Sequence, residues 1–190
     1  VLTLIPPWLR AASLGNESDA LVHLVTLSHL FGRAHPLAVR NLWQAVGWST
    51  ADTHALLHFL HTRTLHYRSF EFLEVARLIV ANLPPAARQV AQHALLESMV
   101  PEAAIPYSPS GISALSIDAY FPPPGTELMP LAPTLISLLF FGECVDASLL
   151  RHERLPIVLH LLCMYLDGTS SALHSSILRA AEQILSVLPT

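Results

Sequence analysis

The chain has 190 residues, of which 52% are hydrophobic and only 13% are charged, and its formal net charge is −4. This composition supplies enough apolar side chains for a sizeable core, and its charged fraction is well below that of an average globular domain. A net negative chain argues against a nucleic-acid-binding surface, which needs clustered positive charge. We therefore expect a single domain whose surface is in contact with other parts of a protein or with other proteins. Because the sequence starts at Val1 and stops just after a predicted helix, we expect it to be a fragment of a longer chain, which is then one of its partners.

A membrane span is excluded by the length of the apolar runs. The longest apolar run without a charged residue, 128–142, has 15 residues and carries Pro130 and Pro133 near its start. A helix that crosses a bilayer needs about 20 apolar residues. We therefore expect buried core helices and no membrane span.

Apolar residues at helical spacing predict five helices in the first half of the chain. Ser18 or Asp19 is placed to cap the first helix, and Ser49 or Thr50 is placed to cap the third. Residues 62–69 are expected to be a connector. The predicted helices are 20–32, 36–47, 51–61, 70–83 and 86–99.

The pattern changes at residue 101. The segment 101–133 contains eight prolines and two glycines, a density that forbids a long helix. It is predicted to be an irregular, Pro-rich insertion. Two interpretations remain open for it, a variable insertion between repeats and a loop that binds a partner.

The last third of the chain predicts a further apolar helix and a closing pair of helices. The apolar helix covers 134–145, and residues 147–152 are expected to form another turn. The closing helices, 155–166 and 172–188, flank a tight turn and are expected to lie antiparallel. We expect their central leucines to be buried.

Helices of this length with short connections are typical of stacked helical hairpins. The sequence therefore predicts one all-α domain over 1–190, a segment of a HEAT/armadillo-like α-solenoid built from antiparallel hairpins. If Leu159 and Leu185 face the core of the closing hairpin, replacing either with Asp would unfold it, because a buried unpaired charge is costly.

Histidine provides the sharpest chemical signal. His54, His58 and His61 are four and three residues apart, so they share one face of a helix. Two imidazoles at this spacing can chelate a metal ion. However, the sequence lacks the Glu of a metalloprotease motif, and no nearby cysteine completes a tetrahedral site. We therefore predict no metal site and no bound cofactor. The alternative is a metal-dependent hydrolase, or another enzyme, that uses this histidine face.

No other motif for catalysis is present. The chain has no nucleophile elbow, no P-loop and no dinucleotide-binding glycine motif. His160 and His174 are expected to be histidines of the core or its boundary. Cys144 and Cys163 lie in apolar runs and are expected to be buried, reduced thiols, which favours a cytoplasmic protein. We predict no catalytic residues and a protein that is not an enzyme.

Two groups of charged residues are expected at the surface. Glu74 and Arg77 are three residues apart on a predicted helix and resemble a solvated pair. Residues 151–154 (Arg-His-Glu-Arg) form the densest charged patch. We interpret this patch either as a solvated turn between helices or as a contact for an acidic partner.

Three consecutive stretches of the last third carry a family resemblance. They are a helix with an acidic end (135–146), a Leu-Pro-Ile-Val-Leu-His-Leu-Leu stretch followed by an Asp (155–167), and a helix that ends in a Leu-rich run (171–188). Together they resemble the helical repeats of the Furry family over residues about 133–188. The resemblance implies a HEAT/armadillo-like scaffold for protein binding in cell polarity and cell morphogenesis, with a kinase-pathway partner. It implies no functional residues, because the shared motif is a packing motif.

Overall fold

The structure, a computed structural model, describes Pro7 and residues 19–100, 131–149, 154–168 and 171–188. The predicted all-α class is confirmed, because these residues form eight α-helices and one short 3-10 turn and contain no strand. The helices are α1 (Asp19–Ala34), α2 (Pro36–Gln44), α3 (Thr50–Tyr67), α4 (Phe70–Ala81), α5 (Pro85–Met99), α6 (Pro133–Cys144), α7 (Leu155–Gly168) and α8 (Ser171–Ser186). The 3-10 turn is Ala147–Leu149.

Serine caps start two of these helices. Ser49, one of the two residues expected to cap α3, accepts a hydrogen bond from the Asp52 amide through Oγ at 3.1 Å and donates to Asp52 Oδ2 at 2.6 Å. Ser69 caps α4, because its Oγ accepts from the Phe72 amide at 3.4 Å. Each cap satisfies an amide that has no partner within the helix, which is worth about 1 kcal/mol.

The predicted connector at 62–69 is wrong, because α3 continues to Tyr67. The stretch contains no Gly or Pro that would end a helix. Its buried Thr64 donates a hydrogen bond to the Leu60 carbonyl at 2.7 Å. The helix ends only at Arg68, whose left-handed backbone (φ 46°) closes the last turn.

Helix α6 lies at the centre of the described structure. It packs against α3, α4, α5, α7 and α8. All its residues from Leu135 to Cys144 are buried. Burying a Leu or Phe side chain stabilises a fold by roughly 1.5–3 kcal/mol, so α6 contributes a large share of the core. The other helix pairs in contact are α1–α2, α1–α4, α3–α4, α3–α5 and α7–α8.

Tryptophans hold α2 against α1. The Trp43 side chain is fully buried, and its Nε1 donates to Ser28 Oγ at 3.1 Å. The Trp48 ring stacks on it with centroids 6.2 Å apart, and Trp48 Nε1 donates to the Trp43 carbonyl at 2.9 Å. Both indole N–H groups are therefore satisfied, as buried indoles normally are.

The two closing helices form where they were predicted, but Leu185 is exposed although it was expected to be buried. Leu185 is 55% exposed, so the expectation that it is buried is wrong, and the reason for expecting Leu185→Asp to unfold the hairpin is lost. Leu159 is half-buried, and its substitution remains untested. The buried face of α8 consists of Leu173, Ser176, Ile177, Ala180 and Ile184. These residues recur every three or four positions, and Leu185 lies next to that face rather than on it.

Part of the predicted Pro-rich insertion lies outside the described residues, namely 101–130. Its last residues are described: Leu131 has a left-handed backbone (φ 58°), and α6 already begins at Pro133, a favoured residue for the first turn. Residues 151–153 of the charged patch also lie outside. Among the described helices, none has both the length and the apolar content that crossing a membrane requires.

Candidate functional site

A cleft of about 350 Å³ lies between α3, α5 and the start of α6. His54, His58 and His61 line it together, so the predicted histidine face is a wall of a concave site. His54 and His58 are exposed, and His61 is half-buried at the base of the row. We call this site the histidine cleft.

Apolar side chains and hydroxyls complete the histidine cleft. Leu57 and Leu95 are buried, and Met99 adds a flexible thioether at the end of α5. The start of α6 adds Thr134 and Ser137. An apolar wall with a few polar groups is the usual composition of a small-molecule site.

His61 is the unusual member of the histidine row. Its ring packs against the buried Phe140, with centroids 5.1 Å apart. Its Nε2 atom is buried and has no hydrogen-bond partner. Burial, reinforced by the neighbouring His58, lowers the pKa of His61 to about 4. The imidazole is therefore neutral at pH 7.

The histidine row does not assemble a metal centre. Within the described residues, no group of three or more His, Cys, Asp or Glu side chains is placed to hold a metal ion. A structural or catalytic zinc site needs at least three such ligands at one point. The metal-dependent hydrolase therefore gains no support from the histidine cleft.

On the opposite side of α6, the structure contains a buried ion network that the sequence analysis missed. Arg77 was expected to be solvated with Glu74, but it is only 3% exposed. Its Nε and Nη2 donate to Glu143 Oε1 at 3.2 and 2.7 Å, and its Nη1 donates to Glu74 Oε1 at 2.9 Å. The surface prediction is wrong for Arg77, because the guanidinium points inward to meet a carboxylate of the central helix.

Helix α8 completes this network from the far side. Ser176 Oγ donates to Glu74 Oε1 at 3.0 Å, and Gln183 Nε2 donates to Glu143 Oε2 at 3.3 Å. Arg179, itself mostly exposed, brings Nη2 to 3.4 Å from Glu143 Oε1. The six side chains join α4, α6 and α8. One sequence signal for the network was available: Glu143 is a lone charge inside an apolar helix, and buried charges are normally paired.

On the same side, the backbone of α6 approaches α8 closely at Gly142. A Cβ atom there would lie 2.8 Å from both Cα and Cβ of Ala180 in α8. Two small residues thus let α6 and α8 approach closely, and the buried ion network lies beside this contact. The side of α6 that faces α8 contains no space for an added methyl group at this point.

Of the remaining candidates, Arg154 and Cys144 lie within the packed structure. Arg154 was expected to be solvated or to contact an acidic partner, but it is 6% exposed and its Nη1 donates to Glu97 Oε2 at 2.7 Å. Both cysteines are free thiols. Cys144 is buried, which raises the pKa of its thiol, whereas Cys163 is exposed, so the expectation of burial is wrong for Cys163. His160 is exposed, on the outer side of α7.

A second candidate site is an exposed apolar surface on α1 and α2. It comprises Leu27 (46% exposed), Leu30 (63%), Phe31 (52%) and Leu37 (70%). Three of these residues are three and four positions apart, so they are neighbours on one side of α1. We call this the α1–α2 apolar surface. The surrounding sequence, 20–51, contains two arginines and no Asp or Glu.

No family model, curated protein or solved structure shows significant similarity to the chain. The resemblance to the Furry family therefore stays a prediction from the sequence.

Proposed function

We propose that the chain is a non-enzymatic scaffold that binds another protein through the α1–α2 apolar surface. The observation that supports this most directly is the joint exposure of Leu27, Leu30 and Phe31 on one side of α1, with Leu37 exposed at the start of α2. Single exposed leucines are ordinary, but several large apolar side chains on one side of a helix indicate a protein-binding surface. Aromatic residues such as Phe31 are also enriched in the central parts of interfaces.

The charge around this surface suggests the partner's chemistry. Residues 20–51 contain Arg33 and Arg40 and no acidic residue, although the whole chain carries a net charge of −4. The side chain of Arg40 is exposed, as is that of His35. A partner with complementary charge associates faster and in one orientation. The partner is accordingly an amphipathic segment with an apolar stripe and acidic flanks.

The contacts between helices support, for this scaffold, the stacked architecture of HEAT and armadillo repeats. The pairs α3–α4, α5–α6 and α7–α8 are each in contact, and α3–α5, α4–α6 and α6–α8 connect successive pairs. In such a stack each pair of helices buries its apolar face against its neighbours only. The buried ion network has a defined role in this arrangement, since it joins the second helix of each pair.

The cellular role that we propose rests on the Furry-family resemblance alone. It is a scaffold in cell polarity or cell morphogenesis signalling, with a kinase-pathway protein among its partners and further repeats of a longer chain beside it. A cytoplasmic location agrees with the two free thiols, because disulfides are rare in that compartment.

The proposal is tested by quantitative affinity capture from cells that express the tagged chain. The test variant is the double substitution Leu30→Ser with Phe31→Ser, which makes the α1–α2 apolar surface polar. The matched control is Leu178→Ser with Leu185→Ser, because these residues are also 55% exposed but lie on α8. We expect proteins that bind directly to the unaltered chain to be lost from the first variant and kept by the second.

Direct binding is then measured with one purified captured protein. We expect its affinity to fall by at least about tenfold in the Leu30/Phe31 variant, which is typical for interface anchors, and to weaken with added salt because of its acidic flanks. Equal capture and equal affinity for both variants would contradict the proposed surface. Turnover of a substrate by the purified chain would contradict the non-enzymatic scaffold.

A further inference from the structure

We propose that the histidine cleft binds a small neutral molecule with an apolar body and a hydroxyl group that hydrogen-bonds to His61. This goes beyond the scaffold function, because it assigns a ligand to a site that the α1–α2 apolar surface does not include. It also replaces the metal ion that the histidine spacing suggested.

The size and lining of the cleft fit such a molecule. Its volume of about 350 Å³ lies at the lower end of the ~300–1,000 Å³ range of small-molecule sites. Leu57, Leu95 and Met99 supply apolar surface for the ligand's body. Met99 is a side chain that adapts readily to irregular shapes.

His61 supplies the polar contact. Its Nε2 is buried without a hydrogen-bond partner, and a buried polar atom left unpaired is costly. The rest of the ring cannot turn away freely, because it packs against Phe140 with centroids 5.1 Å apart. Because Nε2 is buried, a ligand group reaches it only where a neighbouring side chain moves aside, and it then makes a hydrogen bond that the folded chain itself does not provide.

A hydroxyl is the group that fits this atom best. In a neutral imidazole, one ring nitrogen donates a hydrogen bond and the other accepts. A hydroxyl both donates and accepts, so it matches Nε2 of His61 in either tautomer. A carbonyl oxygen only accepts and an ammonium group only donates, so each of them would match a single tautomer.

The ligand is neutral because the base of the cleft disfavours charge. Burial lowers the pKa of His61 to about 4, so this imidazole offers no positive charge to an anion at pH 7. Phe140 and Leu95, both buried, lie on neighbouring elements and carry no charge either. A charged ligand group placed against His61, Phe140 and Leu95 would lose its hydration without gaining a counter-ion from them.

The test uses three probes of similar size on the purified chain: phenol, toluene and benzoate. Phenol carries the hydroxyl, toluene replaces it with a methyl group, and benzoate carries a charge. Binding is followed by NMR of methyl-labelled methionine. The chain has three methionines, of which Met99 lines the histidine cleft, whereas Met164 lies in α7. We expect phenol to shift the Met99 signal and to leave the Met164 signal unchanged.

The role of His61 is measured as a coupling between residue and hydroxyl. The ratio of the toluene and phenol dissociation constants is determined for the wild type and for His61→Leu. We expect His61→Leu to lower the ratio of the toluene dissociation constant to the phenol dissociation constant by about tenfold, because phenol alone loses a hydrogen bond to a buried group. The matched control is His66→Leu, the same change at an exposed residue of α3 outside the cleft, which should leave the ratio unchanged.

A second measurement needs no variant. The ¹⁵N signal of His61 Nε2 in the wild type is expected to move with phenol and to stay in place with toluene. The proposal is overturned if phenol leaves the Met99 signal unchanged up to its solubility limit, or if His61→Leu leaves the ratio unchanged. Tighter binding of benzoate than of phenol would also overturn it, because the site would then select an anion.

Discussion

The two sides of helix α6 differ in how closely they pack and in how their buried charged and polar side chains are paired. Toward α4 and α8, the carboxylate of Glu143 meets the guanidinium of Arg77 at 2.7 Å, and Gly142 leaves no space for a methyl group. Toward α3 and α5, the helices leave a cleft of about 350 Å³ that His61 lines, and the buried Nε2 of His61 has no partner. The charges of the first side are paired and its packing is closed, although Oε1 of Gln183 is also buried without a partner. The second side is open, and no charge pairs there with His61.

This difference separates stability from binding within one core. A paired buried charge fixes the relative position of the helices that contribute to it, since any shift separates the partners. An unpaired buried group lowers stability, and a ligand that supplies its hydrogen bond recovers the loss. The closed side of α6 therefore fixes the positions of the helices. On the open side, a ligand would supply a hydrogen bond that the folded chain lacks.

The largest effect is expected from removing the carboxylate of the closed side. Glu143→Ala leaves the Arg77 guanidinium buried without its main counter-ion, and breaking a buried pair in this way costs about 3–5 kcal/mol. Urea denaturation followed by circular dichroism measures the loss. The control is Arg77→Met combined with Glu143→Leu, which removes both charges and keeps apolar volume.

The double variant distinguishes pairing from simple burial. We expect it to be more stable than Glu143→Ala alone, because no unpaired charge remains, although Glu74 and Arg179 lose a partner. If Glu143→Ala were to cost less than about 1 kcal/mol, as an exposed ion pair does, the closed side would not depend on its charges.

A smaller effect is expected from lowering the pH, which reduces the free energy of unfolding through His61 by on the order of 3 kcal/mol at most. His61 has a pKa of about 4 in the folded chain, where burial disfavours its charged form, and 6.5 when unfolded. Below pH 6.5 the unfolded chain binds a proton that the folded chain does not bind until near pH 4. Stability is therefore lost as the pH falls from about 6.5 to about 4, by about 1.4 kcal/mol for each unit of pKa difference.

The measurement is the free energy of unfolding of wild type and of His61→Leu across this pH window. The difference between the two curves isolates His61 from the other titrating groups. We expect it to widen with falling pH in favour of the variant. Parallel curves for the two proteins would show that His61 is not held neutral by burial.

The sequence allowed the helices to be predicted, because their information is local. Apolar residues at helical spacing identified α4 and α5 closely, and α3 was cut short only because a polar stretch was taken for a connector. Thr64 explains this error. Its hydroxyl donates a hydrogen bond to a carbonyl of the same helix, so this polar residue can be buried in the core. The face of Leu185 was misassigned for a similar reason, because an apolar residue need not be buried.

The histidine cleft was half predictable. The spacing of His54, His58 and His61 established that they share a face, but only packing could show that α5 and α6 meet this face across a gap. The buried ion network was not predictable from local pattern, because Arg77 and Glu143 are 66 residues apart. Long-range pairing of this kind depends on which helices become neighbours.

A moderate effect is expected from a single methyl group on the closed side. In Gly142→Ala the new Cβ would lie 2.8 Å from Ala180, and overpacking of this kind costs about 1–3 kcal/mol. Ala180→Gly in the same chain should restore part of the loss. Gly47→Ala is the control, because no atom lies within 4 Å of the added methyl group. Equal melting temperatures for Gly142→Ala and Gly47→Ala would contradict the close packing of α6 against α8.

The smallest effect is expected at the outer edge of the closed side. Leu185 is 55% exposed on α8, whereas its neighbour Ile184 is fully buried beneath it. Leu185→Asp should change the free energy of unfolding by no more than about 0.5 kcal/mol, as for most surface substitutions. Ile184→Asp should prevent folding, because it buries a carboxylate without a partner. Thermal melts of the two variants locate the boundary of the packed side to within one residue, and a strong loss in Leu185→Asp would place α8 in a different rotation about its axis.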